Sequence, residues 1–389
     1  MPDTLRLADG SYMRGTDIQA ILRHLMAMRC VEIIGFSNVG KSALLRLLAQ
    51  HDVWIGEMGE AGQEIMPIYI DCNRMLDLTD QGFYELILRC LQESYTDLSD
   101  STPLAEAYRT LVAPASDFQI PLSFNQGLTA ALQASNHKLV LLFDEFDEPF
   151  NHIHARVFLN LRALMDRHQG RLVYVTATGL PLTALRAEDH CSEFCELFSH
   201  RAWHLAPLTR ADQERYIRRY MMTHDIAFTH ADIDFICEWA GGHPRLLEGV
   251  CRIVGNLLPT GVDEPVARQK FYLDAARKLR QDAELTLECS KVWLGCSEAE
   301  QQELAGLFQA GHEANPVVLA ALERRHILRQ FEGTFHPFAR QFGEYVQRKA
   351  THADDRPSTL HVDVESGVVY VGGEPVETLT NLEYRLMLL

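Results

Sequence analysis

Positive charge is scarce in this chain. Lys and Arg number 36 against 53 Asp and Glu, a formal net charge of −17. That balance gives no broad electrostatic grip on nucleic acid, so any such contact needs a local basic patch. Long hydrophobic runs are missing as well: none approaches the roughly 20 apolar residues that cross a bilayer. Met1-Pro2-Asp3-Thr4 lacks a basic stretch followed by an apolar one, which argues against a secretory signal. Nine cysteines are scattered without framework spacing. A disulfide scaffold is therefore not expected, and a reduced, cytoplasmic protein is. No Ser-His-Asp or Cys-His nucleophile pattern stands out. Cys191, Cys195, His200 and His204 are zinc-ligand types, but the spacer between the two pairs is far shorter than in a zinc finger. Hydrophobic content of 47% and charged content of 23% are ordinary for a folded globular chain.

What the chain has is one sharply defined stretch. Gly35-Phe36-Ser37-Asn38-Val39-Gly40-Lys41-Ser42 fits G-x-x-x-x-G-K-[ST], the phosphate-binding P-loop. Before it, Cys30 to Ile34 reads as a short buried strand. After it, Ala43 to Ala49 reads as a helix. Gly35 and Gly40 permit backbone angles that other residues resist. Backbone N–H groups through Ser37, Asn38, Val39 and Gly40 can then turn inward around a phosphate, beside the positive end of the helix. Lys41 would reach the β- and γ-phosphates of ATP or ADP, and Ser42 would hold Mg²⁺.

A second stretch answers the first. Leu139-Val140-Leu141-Leu142-Phe143 is an unbroken apolar run, as in a central parallel strand covered on both faces. Asp144 and Glu145 follow at its C-terminal end, where α/β sheets place their ligands. Asp144 is placed to hold Mg²⁺ through water and Glu145 to polarise an attacking water. Asp147 and Glu148 read as solvated loop acids. Leu172 to Gly179 is a further strand ending in hydroxyls, and Thr176 or Thr178 would either sense a γ-phosphate or satisfy backbone groups. Met66 to Ile70 and Ala202 to Leu205 complete a set of five strands.

Between the strands, Thr16 to Met28 and the segment after Thr79 carry apolar residues at helical spacing. Residues 51–64, with their glycines and acids, read as a loop. Residues 96–121 are weakly periodic, with Pro103, Pro114 and Pro121 as breakers, and a helix is expected near Phe124 to Ala134. Beyond residue 205 the pattern is helical. Thr209-x-x-Asp212 and Ser297-x-x-Glu300 are capping boxes. Pro316 to Leu322 is a helix, and Arg329 to His336 reads as a hairpin about Glu332-Gly333. Residues 351–358 read as a linker. Alternating strands follow, and Thr380-x-x-Glu383 opens an apolar helix within which the chain ends, so a truncated final domain is expected.

The P-loop, Asp144-Glu145, the Thr176–Thr178 strand end and Gly242-His243-Pro244 together resemble the STAND ATPases, signal-transducing relatives of the AAA+ and origin-recognition ATPases. The resemblance spans roughly residues 14–350. It implies that Pro244 of the Gly-x-Pro turn approaches adenine, that Arg245 is a second phosphate sensor, and that His336, in Phe335-His336-Pro337, holds the ADP β-phosphate. Here both neighbours of that histidine differ from the Met-His-Asp of the family. Residues 358–389, with Gly372-Gly373 and Leu379 to Arg385, resemble the start of an OmpR-type winged-helix DNA-binding domain.

The fold expected is α/β: a parallel P-loop NTPase sheet with helices on both faces, residues 1–205. A helical lid (206–285), a winged helix (286–350), the linker and a truncated β-platform of a second winged helix (359–389) follow. The function implied is a slow, nucleotide-dependent homo-oligomerising switch ATPase whose C-terminal domain acts on DNA to regulate transcription. The alternatives are a AAA+-like motor or loader on DNA, and a scaffold locked on nucleotide.

Overall fold

The computed structural model describes residues 5–6, 10–94, 102–134, 137–186, 191–199, 201–258, 265–309, 311–352, 360–363, 368–371 and 374–375. Five strands form the central sheet: β1 (Val31–Ile34), β2 (Ile65–Asp71), β3 (Lys138–Asp144), β4 (Leu172–Thr178) and β5 (Ala202–His204). Their order is β2-β3-β4-β1-β5, and every pair is parallel. The sheet is flanked by helices, so the α/β class expected from the sequence is the class observed. β1 and β4 are buried at every residue, and β3 is buried from Leu139 on. Such strands must be covered on both faces, which is why they read as apolar runs rather than alternations.

The register decides where the chemistry lies. Ile34 of β1 pairs with Thr178 of β4, and Phe143 of β3 with Thr176. Asp71 at the end of β2 pairs with Asp144 at the end of β3. The P-loop, the acids and the strand-end threonines therefore emerge together at the C-terminal edge of one sheet. β4 stands between the P-loop strand and the acidic strand, so its threonines are flanked by both.

Aromatic side chains fasten the acidic edge. Phe146, two residues past Asp144, is fully buried. Its ring lies 5.3 Å from Phe143, 5.7 Å from Phe150 and 5.9 Å from Phe158. Its N–H donates to the Ala177 carbonyl at 3.2 Å. Offset and tilted ring pairs of this kind add about 0.5–1.5 kcal/mol each beyond area burial.

Three segments depart from the sequence reading. Residues 51–64 are not a loop but two short helices, His51–Met58 and Glu60–Gln63. Val53 and Trp54 are buried there, and the Trp54 indole donates to the Leu48 carbonyl at 2.6 Å. Glycine suits the second helix because a Cβ at Gly62 would strike the Trp54 carbonyl. Pro103 begins a helix, Pro103–Val112, directly after the capping hydroxyl of Thr102. Pro121 sits in the first turn of Gln119–Ala134. First-turn amides have no intrahelical partner, so proline costs nothing there.

The C-terminal half is built from helices Arg210–His224, His230–Ala240, Pro244–Leu257, Pro265–Gln281, Ala283–Leu294, Glu298–Gly306 and Pro316–Arg324. A hairpin follows, β6 (Leu328–Phe331) with β7 (Thr334–Pro337), and then helix Arg340–His352. The hairpin turns at Glu332 and Gly333, both at positive φ (48° and 80°), as a two-residue turn requires. Ser297 and Glu300 make the expected capping box. Glu300 also takes both oxygens to Arg325, at 2.9 and 2.7 Å. At Thr209 only half of a box forms: the Asp212 carboxylate instead accepts the Arg14 N–H at 3.1 Å. β8 (Leu360–Asp363), β9 (Val368–Val371) and β10 (Glu374–Pro375) form an antiparallel sheet in the order β10-β9-β8. The helix expected after Thr380 lies outside the described residues. No helix among the described residues is long and apolar enough to cross a membrane.

One buried charge in the sheet gives a test. Glu32 of β1 accepts the Leu182 N–H at 2.6 Å. Burial pushes its carboxyl up to about 7 from 4.5, the Leu182 bond pulling the other way and nearby Asp147 adding to the rise. The fold thus favours protonated Glu32, and stability is lost as pH rises from about 4.5 through about 7. Glu32→Gln keeps an oxygen for Leu182 and cannot ionise. It should be more stable than the parent by about 1–3 kcal/mol at pH 8 and level with it near pH 5, as read by urea unfolding at both pH values.

Candidate phosphate-binding site

The P-loop leaves β1 at Gly35, whose N–H donates to the Thr178 carbonyl at 3.0 Å. A Cβ at Gly35 would lie 2.7 Å from Val39 Cγ1, so the loop can fold back on itself only with glycine there. Asn38 and Gly40 both have positive φ, 58° and 113°. Alternation of that sort curls successive amides into a concave nest that suits an anion. Val39 itself is fully buried under Gly35, so it offers only its backbone. Gly40 then caps helix Lys41–Leu48, whose N-terminal amides are free of intrahelical partners.

Lys41 folds back over the loop. Its Nζ donates to the Gly35 carbonyl at 2.7 Å and reaches the Phe36 carbonyl at 3.5 Å. Burial holds its ammonium below the usual lysine range, against the pull of Asp147, Glu145 and Asp144. Ser42 Oγ donates to Asp144 Oδ1 at 3.1 Å, and the Tyr69 hydroxyl donates to Asp144 Oδ2 at 2.6 Å. The donor set at Ser42 and Asp144 is all oxygen, which fits a hard cation such as Mg²⁺. Glu145 is exposed and held at φ 52°, a region that non-glycine residues adopt only under constraint. The constraint is visible: its neighbour Phe146 is locked in the aromatic core. Desolvation and the adjoining Asp144 carboxylate raise the Glu145 carboxyl above its usual range.

Two acids separate here. Glu148 is exposed, as expected, but Asp147 is not a solvated loop acid. It is partly buried and its Oδ1 accepts the Gly179 N–H at 2.8 Å, tying the start of helix Asp147–His152 to the residue after β4. Thr176 and Thr178 are fully buried, and neither hydroxyl has a hydrogen-bond partner. A buried hydroxyl normally has one, so the strand end is a place where a polar group would be welcome. Tyr69 is the residue that sequence reasoning passed over on this edge. Its only signal was its place two residues before the strand-end Asp71.

The opposite side of the loop is gripped from three directions. Arg14, 3% exposed, donates from Nη2 to the Val39 carbonyl at 2.6 Å and from Nη1 to Ala206 at 2.7 Å. His243 approaches from the helical half, its Nε2 3.0 Å from the Ser37 carbonyl. Asn38 donates to Glu288 of helix Ala283–Leu294 at 2.7 Å. The Phe36 ring stacks on His243 at 5.8 Å and lies 5.0 Å from Phe338. None of Arg14, Glu288 or Phe338 lies in a motif.

A cleft of about 540 Å³ opens over the loop, lined by Gly40, Lys41, Ser42, Glu145, Pro244 and Arg245, among others. Pro244 lines the side of this cleft that belongs to the helical half. Arg245 lines the cleft while paired to Glu248 at 3.2 Å. Tyr216 and Arg219 also face the cleft, the guanidinium 5.8 Å from the Tyr216 ring. The structure does not bring His336 to the loop. It is exposed on β7, paired with Arg329, and lines a separate groove with Phe308, Pro337 and Arg340. From this stretch it is Phe338 that touches the P-loop. No group of three or more metal-ligating side chains occurs among the described residues; His200 lies outside them.

No known family profile matches the chain, and no curated protein does. Solved structures do. A Walker-type ATPase of Pyrococcus abyssi aligns with a TM-score of 0.53 at 13% identity, over 88% of this chain and 97% of that one. The ORC2 protein of Aeropyrum pernix, in its ADP form, aligns at 0.48 with 14% identity, over 87% and 95%. The RuvB Holliday-junction branch-migration motor of Thermotoga maritima aligns at 0.42 with 14% identity, over 88% and 95%. With the parallel sheet, the strand-end acids and the glycine loop already placed, the first of these settles the architecture: the chain has the fold of a P-loop ATPase.

Proposed function

We propose that the chain binds ATP with Mg²⁺ in the P-loop cleft, hydrolyses it slowly to ADP and phosphate, and passes nucleotide state to its C-terminal half. The observation that carries this reading is the meeting of Lys41, the Ser42–Asp144 pair and Glu145 at one edge of the sheet. Lys41 would leave the Gly35 carbonyl for the terminal phosphates, a small motion of a flexible stem. Ser42 and Asp144 would hold Mg²⁺, which supplies charge neutralisation across the phosphates. Glu145 would take a proton at its carboxylate from the attacking water. A carboxyl raised toward neutrality is a better base for that work. Thr178 would meet the γ-phosphate with its unpartnered hydroxyl. Pro244 would pack on the adenine, and Arg245 would serve as a second sensor after parting from Glu248.

The likeness to STAND proteins supports a switch over a motor. So does the way residues 206–285 and 286–350, the proposed lid and winged helix, grip Phe36, Ser37 and Asn38. In the switch, residues 1–205 bind nucleotide and the two helical units respond by opening and self-association. Helix Arg340–His352 takes in the first two residues of the expected linker, and the antiparallel sheet β8–β10 beyond it supports the OmpR-type reading of 359–389 and with it an output on DNA and transcription. The nine cysteines form no disulfide and eight of them are buried, which suits a reducing, cytoplasmic setting. The alternative is a AAA+-like motor on DNA, which would turn over on the order of once per second or faster.

Lys41→Ala should abolish binding of Mg-ATP in a folded protein, as followed by calorimetry. Parent-like affinity in the mutant would remove the nucleotide assignment. Glu145→Gln keeps the shape of the side chain but cannot accept the proton. It should bind ATP and hydrolyse it roughly 10²–10⁴-fold more slowly; unchanged phosphate release would move the base elsewhere. DNA-stimulated turnover at the motor rate would replace the switch with the motor.

A further inference from the structure

His243 is fully buried and plays two parts at once. It is the N-cap of helix Pro244–Leu257, its Nδ1 accepting the Leu246 N–H at 3.2 Å. Nδ1 is therefore the acceptor nitrogen, and the ring proton sits on Nε2. That proton is donated to the Ser37 carbonyl at 3.0 Å. Both neighbours demand the same tautomer. Burial lowers the ring to about 4 from 6.5, with the Ser37 bond pulling the other way. The imidazole is thus neutral at physiological pH. Phe36 stacks on it at 5.8 Å and 8°, and Phe338 lies 6.1 Å away. The donor is fixed in place by rings from the P-loop and from the segment after β7.

A trans peptide is planar, with its C=O and N–H pointing in opposite directions. With the Ser37 carbonyl turned to His243, the Asn38 N–H must face the other way. Asn38 lines the phosphate cleft and His243 does not. The bond from His243 therefore aims the Asn38 amide into the nest. We propose that His243 is a positioning residue for phosphate binding: by pinning the Ser37–Asn38 peptide it preorganises the P-loop, and it makes lid docking and phosphate binding one coupled event. This rests on the nucleotide reading above. The coupling is reciprocal, as any linkage of two binding equilibria must be.

Two substitutions separate the two parts. Asn is a strong N-cap but too short to reach Ser37, so His243→Asn keeps the helix start and loses the pin. Gln is a poor cap but can carry a donor to Ser37, so His243→Gln does the reverse. The experiment is calorimetric binding of Mg-ADP and of adenosine to the full chain and both variants, with thermal melts alongside. His243→Asn should melt close to the parent, bind ADP about tenfold more weakly, the worth of one hydrogen bond, and bind adenosine within about twofold. His243→Gln should melt lower and keep the parent ratio of ADP to adenosine affinity. Parent-like ADP binding by the Asn variant overturns the proposal, as does an equal loss for ADP and adenosine. Should the Asn variant not fold, a Gln variant that loses its ADP preference overturns it alone. A parent protein that binds neither ADP nor ATP overturns the nucleotide reading, and this inference with it.

Discussion

A phosphate-binding loop is made of backbone, and backbone that turns its amides one way must satisfy its carbonyls the other way. That constraint organises this molecule. The Ser37 carbonyl is met by His243, the Val39 carbonyl by Arg14 and the Gly35 carbonyl by Lys41. The first donor comes from the helical half, the second from the residue before helix Gly15–Met26, the third from the loop itself. An unmet buried carbonyl costs about 1–3 kcal/mol, so the loop conformation depends on the Arg14 segment and the helical half both being docked. The P-loop is consequently a joint, and the two halves of the chain meet at it.

The electrostatics of the site follow from the same geometry. The parallel register brings Asp71, Asp144, Glu145 and Asp147 to one edge. Lys41 is held among them by a buried stem. Desolvation lowers the lysine and raises Glu145 and Asp147. Groups shifted toward neutrality in this way are what proton transfer and charge-switching sites need. The strain at Glu145 is held by Phe146 and its ring neighbours, so the aromatic core and the acidic edge are one structure.

The parts of this arrangement that were legible in the sequence are those made of local pattern. The P-loop, the apolar β3 run with its two acids, and the Glu332-Gly333 turn each carry their own signal within a few residues. Helices whose starts use proline read as breaks, because Thr102-Pro103 looks like an interruption until its capping bond is seen. Residues 51–64 show no stripe, because the buried Val53 and Trp54 are chain neighbours and Gly56, Gly59 and Gly62 follow them. The tertiary partners of the loop were invisible for a deeper reason. Arg14, Glu288 and Phe338 act across separations of tens to hundreds of residues, and nothing in their own surroundings marks them. His336 shows the converse: a residue type at a matching place in the chain does not fix where the fold sends it.

The claim that the P-loop joins the two halves is tested most directly by amide hydrogen exchange with and without Mg-ATP. The account predicts that residues 37–48 and residues 244–257 gain protection together, since helix Pro244–Leu257 is capped by His243, whose Nε2 meets the Ser37 carbonyl. Protection confined to 37–48, with 244–257 exchanging as before, would contradict it.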